Sequence, residues 1–288
     1  MADGHLRQSG MDRDEFLSIL HESYRPRNYL EIGINQGYSL ARSKTRTIGV
    51  DPHFQISAEV ACDLKLVKAT SDDFFARPGA ISWFPEGVID LTFIDGLHLF
   101  EFALRDFMNA ERLSGPASVI IFDDVFPRSV AEASRERRTI SWAGDIYKVM
   151  LVLERYRHDL AIIPLDTQPT GLLLVLGLDP ASTVLNARYD EIVAEYAAVD
   201  PQCVPEDVFH RKNAADAKRV ADSAVWGELA AGRDGDTPGS AVEAMRSLRG
   251  TARFTLVPPA ETAWPVRARH FDRVRGHMAQ VGRKLTFH

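Results

Sequence analysis

The stretch Tyr29-Leu30-Glu31-Ile32-Gly33-Ile34-Asn35-Gln36-Gly37 decides how this chain is read. A short apolar run, Tyr29 to Ile32, delivers the backbone to a turn marked by two glycines. Glycine adopts turn conformations closed to other residues and lets backbone approach a ligand closely. In open parallel sheets, ligands sit outside the carboxyl ends of the strands, where this turn falls. A dinucleotide oxidoreductase would carry G-x-G-x-x-G here. This chain carries E-x-G-x-x-x-G, with Glu31 ahead of the first glycine. A carboxylate at that place suits a cationic ligand better than a pyrophosphate. Taken alone, the three residues also fit an ordinary strand-to-helix turn.

Outward from this turn, apolar runs alternate with helical patterns. Before it, Met11 to Tyr24 reads as a helix capped by Asp12, with Phe16, Leu17 and Leu20 on one face and Pro26 ending it. After it come Thr47 to Val50, ending at Asp51; Leu64 to Lys68; Val88 to Ile94, ending at Asp95; and Ser118 to Phe122, ending at Asp123 and Asp124. The clearest helix between them is Leu99 to Leu113, with Phe100, Leu104, Phe107 and Met108 in period. Strands alternating with helices predict a parallel sheet covered on both faces. The rhythm then changes. Trp142 to Tyr156 reads as a helix, and Leu160 to Pro164 and Gly171 to Leu178 read as an antiparallel hairpin at the sheet edge. Beyond Pro180 the pattern is mainly helical, over Thr183 to Ala198, Glu206 to Gly232 and Ala268 to Lys284. A loop is expected at Arg233 to Thr237 and one more strand at Phe254 to Val257. The expected division is a ligand-binding domain over 11–180 and a mainly helical C-terminal extension over 181–288.

The carboxylates at the strand ends give the ligand a shape. Asp51 follows Glu31 by twenty positions, where a carboxylate can accept hydrogen bonds from both hydroxyls of a ribose. Thr70-Ser71-Asp72-Asp73-Phe74 follows the third run and offers polar groups to an adenine edge. S-adenosylmethionine joins such a nucleoside to a sulfonium and an ammonium group. In this pattern the sequence resembles the class I, Rossmann-like, S-adenosylmethionine-dependent methyltransferases. Phe93-Ile94-Asp95-Gly96-Leu97-His98, Ile121-Phe122-Asp123-Asp124-Val125 and Trp142 to Lys148 narrow the likeness to small O-methyltransferases of the family 24 type. The likeness spans about Tyr24 to Leu178. It implies an α/β fold with a seven-stranded, mostly parallel Rossmann-like sheet whose last strand is antiparallel. It implies S-adenosyl-L-methionine as cofactor, held by Glu31, Gly33, Gly37, Asp51, Ser71, Asp72 and Asp95. One departure is Asn35, where many members carry a glycine between the two outer ones.

Methyl transfer from a sulfonium is an in-line displacement, so the protein supplies orientation and, for a hydroxyl acceptor, removal of a proton. Asp95, Asp123 and Asp124 end adjacent strands and could gather. Hard cations such as Mg²⁺ favour oxygen ligands of this kind, and a bound Mg²⁺ lowers a hydroxyl pKa. In resembling metal-dependent sugar and catechol methyltransferases, carboxylates at these positions hold the metal. The same residues also fit a metal-free site, Asp95 lying beside the methyl group and Asp124 capping a turn. His98, whose ordinary pKa suits proton abstraction near neutrality, is the candidate base, with Asp95 as its catalytic partner. It could equally satisfy a helix N-terminus or bind the metal. Leu97 stands where metal-dependent sugar enzymes often place a base carboxylate. Asp145 and Lys148, spaced i, i+3, read as a surface pair or, if their helix starts over the site, as part of a cluster in which Trp142 roofs the acceptor and Lys148 orients an anion. His53 reads as surface or as lining the nucleoside pocket.

Composition narrows the classes. The 288 residues are 45% hydrophobic and 26% charged, ordinary for a globular chain. Cys62 and Cys203 alone give no disulfide framework, so a reducing, cytoplasmic setting is expected. Residues 1–7 lack an apolar run, so no secretory signal is expected, and no stretch has the length of a membrane span. The net charge is −6, although Gly239 onward carries nine Lys/Arg against three Asp/Glu. An acidic body argues against tracking a nucleic-acid backbone. The expected function is O-methylation of a small hydroxylated acceptor, a sugar or secondary metabolite, with Mg²⁺ assisting if the carboxylates hold it. A homo-oligomer would form through the C-terminal region. The alternative is a non-catalytic, methyltransferase-like binding module acting through that extension.

Overall fold

The structure is a computed structural model and describes residues 10–212 and 214–234. The first helix, α1 (Arg13–Tyr24), begins where Asp12 accepts a hydrogen bond from the Glu15 amide and ends at Arg25 in a left-handed conformation. The strands follow as β1 (Asn28–Ile32), β2 (Arg46–Val50) and β3 (Leu64–Val67), with a 3-10 turn at Leu40–Arg42 after β1. Next come α2 (Ser71–Phe75), β4 (Ile89–Ile94), α3 (Phe100–Arg112) and β5 (Ser114–Phe122). Then α4 (Tyr147–Tyr156) leads to β6 (Ala161–Leu165) and β7 (Leu172–Leu176).

Among the described residues these strands form one seven-stranded sheet in the order β3-β2-β1-β4-β5-β7-β6. Strands β1 to β5 run parallel, and β7 is inserted antiparallel between β5 and β6. The expected fold, with its antiparallel last strand, is thus observed. The order reverses between β1 and β4, and that switch point opens the crevice at their carboxyl ends. Strand residues alternate between two cores. Leu30, Ile32, Ile120 and Phe122 face the layer of α3 and α4, with Phe107 and Leu153. Tyr29, Phe93, Val119 and Ile121 face the layer of α1, with Phe16 and Leu20.

Beyond β7, α5 (Val184–Tyr196) packs on the α3 and α4 side. The single helix expected over Glu206 to Gly232 is instead three short ones, α6 (Glu206–Phe209), α7 (Ala217–Ala221) and α8 (Val225–Asp234). Arg211 takes a positive φ of 47°, and Ala215 then pairs with the edge strand β6, donating to Pro164 O at 2.8 Å. That edge pairing turns the chain out of helix. Helices α7 and α8 return to α1 and β5, and Trp226, fully buried, meets Phe16 edge-on at 6.5 Å. Helix α4 begins five residues later than the pattern suggested, because Gly144 holds a φ of +61° against the His98 carbonyl. The expected Phe254–Val257 strand, the Ala268–Lys284 helix and all but Arg233 and Asp234 of the expected loop lie outside the described residues. Among the described residues, no helix is long and apolar enough to cross a membrane.

Candidate active site

The turn after β1 is built by its own sequence. Gly33 has φ +88°, and a Cβ there would lie 1.9 Å from the Asp95 carbonyl oxygen. Only glycine therefore lets this turn meet the one after β4. Asn35 takes φ +49°, the left-handed conformation that Asn tolerates better than most residues, so the missing middle glycine leaves the turn intact. Asp51, at the end of β2, fastens it. Its Oδ2 accepts the amides of Ile34 at 2.8 Å and Asn35 at 2.9 Å, and its Oδ1 accepts that of exposed His53 at 2.6 Å. Below the turn Glu31 is fully buried and accepts hydroxyl protons from Tyr29 at 2.7 Å and Ser39 at 2.6 Å. Burial pushes its pKa up to about 8, the two hydroxyls partly opposing the rise.

On the far side of the crevice Thr70 caps α2, which begins at Ser71. Asp72 takes a two-pronged ion pair from Arg105 of α3, at 3.0 and 2.6 Å. Ser71 hydrogen-bonds Asp106, a buried α3 carboxyl that burial pushes up to about 7. A narrow cavity runs from Asp106 past Gly96 to Asp95, His98 and Asp124.

There the strand-end acids meet. His98 Nε2 lies 3.1 Å from Asp95 Oδ1, and His98 Nδ1 lies 3.1 Å from Asp124 Oδ2 and 2.6 Å from the Trp142 carbonyl. The Trp142 ring stacks on His98 with centroids 5.1 Å apart. His98 and Asp124 hold φ of +52° and +64°. Non-glycine residues take this conformation at a cost, and it recurs at functional sites. Burial opposes a charge on His98, but the hydrogen bond to Asp95 and the charges of Asp124 and Asp95 outweigh it and raise its pKa to about 9. Burial, then the charge of Asp123, pushes Asp124 up to about 8. His98 and Asp124 thus hold a proton between them at neutral pH.

Asp95, His98 and Asp124 each offer one ligand atom, all within 4.8 Å of one another, which fits a single cation. Of the three carboxylates expected there, Asp123 lines the same cavity but is engaged by other partners. It is 2% exposed, its Oδ1 accepts the Asp124 amide at 2.8 Å, and its Oδ2 pairs with Arg13 Nη1. The same Nη1 lies 3.1 Å from Asp95 Oδ2. Arg13 was not among the residues singled out in the sequence. It stands 110 positions from Asp123, and no local pattern connects them.

Asp145 and Lys148 do not form a surface pair. Both are buried, 2.9 Å apart, and joined by Arg135 at 2.7 Å from Asp145 and Gln202 at 2.6 Å from Lys148. Asp145 Oδ1 also accepts the Phe100 amide at 2.9 Å, capping α3 from another segment. The i, i+3 spacing was right, but chain segments distant in sequence close over the pair. The network anchors the loop that carries Trp142 over His98.

Residues 30–125 match the sequence model of a family described as a methyltransferase domain. No curated protein matches the chain. Among solved structures it is similar to cofactor-bound Rv0187 from MTB, at 19% identity and a TM-score of 0.44, over 61% of this chain and 84% of that one. It is also similar to the O-methyltransferase TomG from Streptomyces achromogenes, in complex with SAM, at 20% identity and 0.40, over 58% and 80%. A third is the O-methyltransferase from Bacillus cereus, in complex with SAH, at 17% identity and 0.38, over 59% and 84%. With the sheet order β3-β2-β1-β4-β5-β7-β6, the family match shows that residues 30–125 belong to a methyltransferase domain set in a Rossmann-like α/β sheet.

Proposed function

We propose that the chain methylates a hydroxyl oxygen of a small hydroxylated acceptor, a sugar or secondary metabolite, using S-adenosylmethionine and assisted by a divalent cation. The observation that carries this reading is the convergence of Gly33, Asp51, Asp95, His98 and Asp124 at the carboxyl ends of adjacent parallel strands. When bound, S-adenosylmethionine supplies an electrophilic methyl group and the cation supplies a Lewis acid.

The residues fit both groups. A carboxylate offers about four acceptor sites. Asp51 uses three on amides, which leaves capacity for a ribose hydroxyl. Gly33 and Gly37 shape the turn through φ of +88° and +83°, and the Glu31 carboxyl gives up its proton more readily beside a cationic amino-acid end. Ser71 and Asp72 stand on the adenine side, and Asp95 serves both cofactor and acceptor. Two carboxylates and one imidazole suit Mg²⁺ or Mn²⁺, the imidazole favouring Mn²⁺. His98 must be neutral to ligate a cation or to accept a proton, so cation binding at this cluster releases protons. The Trp142 ring covers His98 and keeps water from that face. Residues 11–180 carry these roles, and 181–288 form the extension, whose described helices α7 and α8 support the sheet through Trp226.

The test is calorimetric titration with S-adenosylhomocysteine, with and without Mg²⁺ or Mn²⁺, on the wild type and Asp51→Ala, with a melting curve for each. Saturable binding that weakens at least tenfold in a folded Asp51→Ala supports the cofactor assignment. Equal binding by both proteins removes Asp51 from the nucleoside site.

A further inference from the structure

Arg13 sorts the strand-end acids into two sets. Its guanidinium pairs with Asp123 Oδ2 and reaches Asp95 Oδ2, while the other Asp95 oxygen faces His98. Asp123 is enclosed, and a buried carboxylate without a partner or a proton is costly. Arg13 supplies that partner from a fixed position. It is the first residue of α1, its amide donates to Gln168 O at 3.2 Å, and the Gln168 amide donates to Met11 O at 2.9 Å. Phe16, one turn on, is locked against Trp226. The backbone that carries it is therefore fixed, while the side chain stays 32% exposed, and the guanidinium keeps its charge across the accessible pH range.

We propose that Arg13 is the positioning residue that decides which carboxylates take the divalent cation. It withholds Asp123 and one Asp95 oxygen, so the cation set is Asp95, His98 and Asp124. This rests on the cation part of the proposed function. Two consequences follow from Coulomb's law and the donor count. Removing Arg13 takes a positive charge from beside the site and frees a fourth carboxylate, so cation affinity rises. Removing the Asp123 carboxylate takes away a nearby negative charge but no ligand atom, so affinity falls by no more than about threefold.

The experiment is Mn²⁺ titration of the full chain, followed by calorimetry and by the loss of the free Mn²⁺ electron-spin-resonance signal. Arg13→Gln is expected to bind Mn²⁺ at least tenfold more tightly than wild type. Asp123→Asn and Arg13→Lys should stay within about threefold of wild type. The double variant Arg13→Gln with Asp123→Asn should lose at least half of the tenfold gain on the logarithmic scale. A merely structural Arg13 would not give that reversal. Circular dichroism establishes folding, and if Arg13→Gln does not fold, Asp123→Asn and Arg13→Lys decide alone. Unchanged or weaker affinity in folded Arg13→Gln, or a tenfold loss in Asp123→Asn, overturns the proposal. If no variant nor the wild type binds Mn²⁺, the cation reading falls with it, while S-adenosylhomocysteine binding stands or falls separately.

Discussion

Replacing Gly33 with alanine probes the contact on which the site depends. A Cβ at Gly33 would lie 1.9 Å from the Asp95 carbonyl oxygen and 2.4 Å from its carbon. Both are backbone atoms, so no side-chain rotation relieves the clash. The positive φ costs a non-glycine residue about 1–2 kcal/mol, and overpacking of this kind typically costs about 1–3 kcal/mol more. The expected loss is about 2–5 kcal/mol, a large part of the roughly 5–15 kcal/mol that holds such a domain together. Gly87 supplies the control. Its φ is +65° and nothing lies within 4 Å of a Cβ there, so alanine meets the backbone strain alone. Urea unfolding followed by circular dichroism measures both. The midpoint of Gly33→Ala should fall well below that of Gly87→Ala, with S-adenosylhomocysteine binding weakened even where the protein stays folded. Equal midpoints for the two variants would refute the claim that the turns after β1 and β4 are held in contact by this glycine.

Trp226→Ala removes a fully buried ring that α8 sets against Phe16. It should cost about 3–5 kcal/mol in the same unfolding assay, the usual range for such a truncation. Glu31 makes a pH prediction whose sign is fixed by burial. Between its ordinary value of 4.5 and its folded value of about 8, the folded protein keeps a proton that the unfolded chain has released. Its contribution to stability is therefore present below pH 4.5 and is lost as pH rises through 8, with a slope approaching about 1.4 kcal/mol per pH unit. Thermal melts of Glu31→Gln should fall less steeply over this window than those of wild type, and parallel curves would contradict the burial argument.

The sheet was legible in the sequence because its central strands β1, β2, β4 and β5 are buried on both faces over most of their length and read as apolar runs that end in Asp51, Asp95 and Asp123. The antiparallel hairpin showed itself in the short polar link from Asp166 to Thr170. The late start of α4 was not legible, since a helical pattern runs through Gly144 and only the His98 carbonyl reveals why that residue must turn. The same holds beyond Glu206, where an unbroken helical period hides the pairing of Ala215 with β6. In the site, the strand-end acids were legible one by one, but their partners were not. That Asp123 faces Arg13 while His98 joins Asp95 and Asp124 depends on side chains brought together from distant segments. Nothing in the local spacing of Asp145 and Lys148 announces that Arg135 and Gln202 bury them.

The most direct test of the central claim is calorimetric titration of the folded wild-type chain with S-adenosylhomocysteine. One-site, saturable binding at micromolar concentrations is the predicted result. A folded protein that takes up no S-adenosylhomocysteine, with or without Mn²⁺, would contradict the assignment of the crevice between β1 and β4 as a methyl-donor site.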